Sequence, residues 1–124
     1  MSLKGIFSNN FETADPNLIS ELTTHYYSNN YDSCKDAVLS YARNTGMDCL
    51  NIDDNFHEIL LSDKHAEIIV TFVSINYRLT SIDFKINTNY IIAFGKGKKQ
   101  IVSFYEYLDR TLQLKQVGGG YNNA

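Results

Sequence analysis

The chain has no apolar run longer than the five residues Tyr90 to Phe94, a single proline, only two cysteines and no excess of basic charge. A membrane-crossing helix takes about 20 apolar residues, so no membrane insertion is expected. The opening stretch MSLKGIFSNNFETADP lacks the apolar centre of a signal peptide, and none of the thirteen asparagines stands in an Asn-x-Ser/Thr acceptor. A cytoplasmic protein is the expectation. Cys34 and Cys49 are too few for the disulfide framework of a small secreted domain, and they read as reduced core thiols. A net charge of −3 offers nucleic acid or an anionic surface no general attraction. No nucleic-acid partner is expected.

What is present fits one folded unit. With 124 residues, 44% of them hydrophobic and 20% charged, the chain has the composition and length to bury one core. Residues 1–14 are polar, Asn-rich and aperiodic, and read as a loose arm. Residues 15–115 form the domain, and 116–124, QVGGGYNNA, read as a flexible tail. Asp15-Pro16 predicts a short helix ending near Leu22, with Asp15 as cap and Pro16 in the first turn. TTHYYS, rich in β-formers, predicts a first strand. In DSCKDAVLSYARNTG the apolar positions Cys34, Ala37, Val38, Tyr41 and Ala42 recur at helical spacing, with Asp32 as cap and Gly46 just past the end.

Four strands follow. MDCLNI and FHEILLS flank a turn at 53–55, AEIIVTFVSI follows a turn at Asp63-Lys64, and LTSIDFKIN follows one at Tyr77-Arg78. Ile82, Phe84 and Ile86 alternate with Ser81, Asp83, Lys85 and Asn87, the mark of a half-buried strand. In the strand before it Ile68, Val70 and Phe72 lie on one face and Ile69, Val73 and Ile75 on the other, which predicts a central position with both faces seeking cover. NTNYIIAF extends the sheet or wraps over it. A final helix from about Lys98 to Leu114 carries Ile101, Phe104, Tyr105, Leu108 and Leu112 on one side.

The order β-α-β-β-β-β-α predicts an α+β fold, a curved antiparallel sheet of about five strands with the helices packed on one face. This order resembles the helix-grip and TATA-binding-protein-like architectures. The stretches HYYSNNYDSCKDAVLSYA and DFKINTNYIIAFGKGKKQIVSFYEYLDRTL also resemble a family of small uncharacterised bacterial cytosolic proteins. That resemblance covers most of residues 23 to 114 and implies a fold but no activity.

Chemistry is sparsely marked. Asp53, Asp54 and His57 cluster at a hairpin and form the alternative enzyme reading, but for His57 with Asp53 or Asp54 as a metal site a second strong ligand at fixed spacing is missing. The calcium-loop pattern from Asn51 fails because Phe56 stands where the turn glycine belongs and Ser62 where the chelating Glu is required. With a turn at Asp63-Lys64, His65 falls opposite Ser62 and His57 opposite Val70, so the two histidines do not converge. His25 reads as a residue of the sheet surface. Cys34 sits in a first helical turn, where the dipole favours a thiolate, yet no base accompanies it. No cofactor motif and no metal set is present.

Three binding readings follow. FGKGKK is neither a P-loop nor a dinucleotide fingerprint, but Lys96, Lys98 and Lys99 at a helix start suit a phosphate or other anion. The competing reading is a glycine hinge with solvated lysines. Phe72, Phe84, Ile86, Phe104, Tyr105 and Leu108 are the lining of an apolar cleft for a small-molecule ligand if sheet and helix part, and a closed core if they do not. Leu60, Ile69, Val73 and Ile75, on the face away from the helices, seek a cover, which is either the partner of a homodimer or the N-terminal arm folded over them. The sequence thus points to a small non-catalytic binding or assembly domain.

Overall fold

The computed structural model describes residues 10–88 and 96–120. The elements are β1 (Asn10–Glu12), a 3-10 turn (Ser20–Leu22), β2 (His25–Tyr27), α1 (Tyr31–Asn44), β3 (Asp48–Asp53), β4 (Glu58–Ser62), β5 (Ala66–Asn76), β6 (Leu79–Thr88), α2 (Lys96–Thr111) and β7 (Leu114–Val117). The strands form one seven-stranded antiparallel sheet in the order β3-β4-β5-β6-β2-β7, with β1 also paired to β6. The expected α+β class and the four-strand meander are present. The sheet gains two strands on the expected five, because β1 and β7 are three and four residues long, too short to show a period.

β1 and β2 lie end to end along one edge of β6. β1 covers Lys85 to Asn87 and β2 covers Thr80 to Ile82. Between them Thr13 bridges the gap: its amide donates to Phe84 O at 2.8 Å, and its hydroxyl oxygen accepts from Phe84 N at 2.9 Å. The chain then leaves the sheet and returns at Thr24, whose amide donates to Ala14 O. The helix expected after Asp15-Pro16 is therefore reduced to the 3-10 turn. The Asp15 carboxylate is not free to cap a helix, since it accepts from the Tyr26 hydroxyl and the amides of Gly119 and Gly120.

α1 begins one residue before Asp32. Asn30 caps it instead, accepting from Ser33 N at 2.8 Å, while Asp32 in the first turn complements the dipole. At the other end Gly46 takes φ +77°, the left-handed geometry that favours glycine there. Cys34, Ala37, Val38 and Ala42 point inward, as do Ile101, Phe104, Tyr105 and Leu108 of α2. They join Ile59, Leu61, Ile68, Val70, Phe72, Ile82, Phe84 and Ile86 in one core. Both helices thus cover the same face of the sheet.

The β4–β5 register differs from the expectation by two residues. Ser62 pairs with Glu67 and Glu58 with Thr71, because Asp63 begins the turn rather than occupying its centre. Its Oδ1 accepts from the amides of His65 and Ala66, the Asx geometry that tightens a turn two residues on. The tail expected from Gln116 onward is also ordered through Gly120. β7 pairs with β2, Gly118 N donates to Thr24 O at 2.8 Å, and the Gln116 side-chain amide donates to Gly118 O and Gly120 O. The stretch 89–94, expected to extend or wrap the sheet, and most of the N-terminal arm lie outside the described residues.

Candidate functional site

Strand alternation sorts the sheet into two faces. On the face turned from the helices, Leu60 pairs with Ile69, and Ile69 with Lys85 on β6. Two residues along β5, Thr71 pairs with Glu58 and Asp83, and beyond it Val73 pairs with Ser81. Ile69 is 37% exposed, Val73 51%, and Ile75, at a bulge near the end of β5, 37%. Leu60 is half-buried. These four residues, selected by pattern alone, therefore lie on the middle strands of the meander with an open side. Glu58 flanks them on β4 and Lys85 on β6, while Glu67 precedes Ile69 by two residues on β5 itself.

The remaining candidates are placed as follows. Phe72, Phe84, Ile86, Phe104, Tyr105 and Leu108 are each at most 2% exposed. Phe84 packs 4.5 Å from Phe104 and edge-on, 4.9 Å, from Tyr105, centre to centre. These aromatics fill the core, the closed alternative. Gly97 is also buried, and a methyl there would sit 2.9 Å from Phe11 Cδ2, so this glycine lets α2 approach the sheet. Lys98 reaches Glu21 at 3.4 Å. Lys96 and Lys99 border a surface depression of about 310 Å³ with Tyr41, Asp63, His65 and Ser103.

At the β3–β4 hairpin the acids serve the turn. Asp53 Oδ1 accepts from the amides of Asn55 and Phe56. Asp54 accepts from the Tyr31 hydroxyl at 2.6 Å and from Lys35 at 3.0 Å, and the hydroxyl and ammonium hold its carboxyl below the usual range. His57 stacks on Tyr31 at 3.9 Å. Among the described residues no group of three or more His, Cys, Asp or Glu is placed to hold a metal ion. His57 and His65 stay apart, one against α1 and the other at the depression beside α2.

Two polar clusters were not legible in sequence. His25 is buried rather than on an open surface: it pairs with Ile82 across the sheet, and so faces the helices. Its ring stacks on Tyr105 at 3.6 Å, and its Nδ1 lies 2.9 Å from Asp109 Oδ1, which also accepts from Tyr27 at 2.7 Å. Burial pushes the Tyr27 phenol upward, and the carboxylate reinforces the shift. On the opposite face Asp83 accepts from Thr13 at 2.5 Å and Thr24 at 2.6 Å. Such clusters join residues as many as 84 positions apart, and only the alternation of Asp83 hinted at either.

Cys34 is fully buried, and desolvation pushes its thiol up to about 12, so burial overrides the helix dipole. Cys49, expected in the core, is exposed on β3 because β3 is an edge strand. Neither has a nucleophile's setting. No helix among the described residues is long and apolar enough to cross a membrane. The chain matches no protein-family model, and no curated protein is significantly similar to it. The resemblance to small bacterial proteins accordingly rests on the quoted stretches alone.

Proposed function

We propose that this chain is a small non-catalytic assembly domain that pairs with a second copy of itself through the open face of its sheet. The observation that supports the reading is the exposure of Ile69 and Val73 on β5, which has a strand on either side. Apolar side chains at the middle of a sheet gain most from a partner that removes them from water, at roughly 25 cal/mol per Å². A two-fold pairing also needs a self-complementary patch. Lys85 on the β6 flank and Glu58 on the β4 flank supply it, since a half-turn about an axis along the strands sets the base of one copy toward the acid of the other.

Other readings draw less support. The aromatic residues of the supposed cleft are packed into the core. Only two of the three lysines share a depression, and Asp63 stands among them, which weakens its hold on an anion. Asp53, Asp54 and His57 are engaged in the hairpin and its contact with α1.

Val73→Lys tests the proposal because Val73 is half exposed and its replacement leaves the core untouched. Sedimentation velocity should show a parent dimer and a folded variant monomer. A variant that sediments as the parent does removes this face from the interface.

A further inference from the structure

A second surface lies at the edge of the sheet. Among the described residues β3 has a partner on one side only, and five of its six residues are exposed. An edge strand offers unpaired amides and carbonyls to any extended chain. Beside it, α1 leaves an apolar groove of about 280 Å³ lined by Leu39, Ala42, Arg43, Met47, Cys49 and Ile52. Edge and groove run together, the arrangement in which a peptide adds as a strand and sinks alternate side chains beside a helix.

The charges select the occupant. Cys49 and Ile52 face the groove, whereas Asp48 and Asp53 pair with Ser62 and Glu58 on the opposite side of the strand. Neither acid is in an ion pair among the described residues. Self-pairing of β3 over its full length would set Asp48 of each copy opposite Asp53 of the other, and like charges across a strand pair are unfavourable. A partner strand with basic residues on that side meets the acids instead. We infer that β3 and the groove beside α1 receive an extended segment of another protein, apolar on its groove side and lysine- or arginine-bearing on the other. This site is separate from the open sheet face.

The probe is a fluorescent, end-blocked peptide of alternating valine and lysine, about nine residues long, the upper range of a strand. A peptide of the same composition with its valines and lysines in separate blocks is the control. Anisotropy should show saturable binding of the alternating peptide and at least about tenfold weaker binding of the control. Ile52→Lys and, separately, Asp48→Lys should each weaken binding by about tenfold or more, and Val73→Lys should leave it unchanged. Bound peptide should also slow alkylation of Cys49 in the native protein. Equal binding of the two peptides, or affinity indifferent to both β3 substitutions, overturns the inference. So does no binding of either peptide, or a parent dimer that Ile52→Lys dissociates.

Discussion

A methyl group on Gly118 would sit 2.6 Å from Thr23 Cγ2, and the residue's φ is +68°. Both facts demand glycine, because an L side chain in the left-handed region costs about 1–2 kcal/mol before any clash. Gly119 has the same need of φ but no clash, since a methyl there would meet Gln116 Nε2 at 3.5 Å, an ordinary contact. Gly118→Ala should therefore destabilise the fold by about 2–3 kcal/mol and Gly119→Ala by about 1, as measured by urea unfolding. Equal losses would show that Gly118 is not packed against Thr23. The thiols give a second prediction. Iodoacetamide should modify Cys49 in the native protein and reach Cys34 only on unfolding; rapid native labelling of Cys34 would contradict its burial.

Asp83 gives the pH prediction. Burial raises its carboxyl above the ordinary 3.8, against the two threonine hydroxyls that lower it. The folded state then holds the proton more tightly than the unfolded state, so Asp83 lowers stability progressively as pH rises from about 3.8 through its raised folded value. Asp83→Asn lacks this decline. Over that window the stability of Asp83→Asn should gain on the parent as pH increases, and a difference that stays level would show that Asp83 titrates normally.

At the scale of elements, what the sequence disclosed depended on how far each signal reached. α1 was legible because its apolar spacing, its first-turn acid and Gly46 all fall within sixteen residues, and β6 because alternation is a local pattern. The β4–β5 register was not, since it turned on whether Asp63 opened or occupied the turn, and one residue in the turn moves the pairing by two. Leu60, Ile69 and Val73 were legible as one face for the reason that made β6 legible. β1 and β7 were invisible for the opposite reason: each is held by pairing with a distant strand and by Asp15, Thr13 and Thr24, not by any pattern of its own. His25 read as a surface residue because three-residue β2 shows no alternation, and the partner that buries it comes from α2.

At the scale of the whole molecule, the two helices spend their apolar faces on one side of the sheet and leave the other side to Leu60, Ile69, Val73 and Ile75. The central claim is that a second copy covers them. Light scattering coupled to size exclusion, on the parent chain across a range of protein concentrations, tests it most directly. The chain mass is 14.1 kDa; a particle of twice that mass is expected, giving way to the monomer on dilution. A mass that stays at 14.1 kDa at the highest concentration would contradict it.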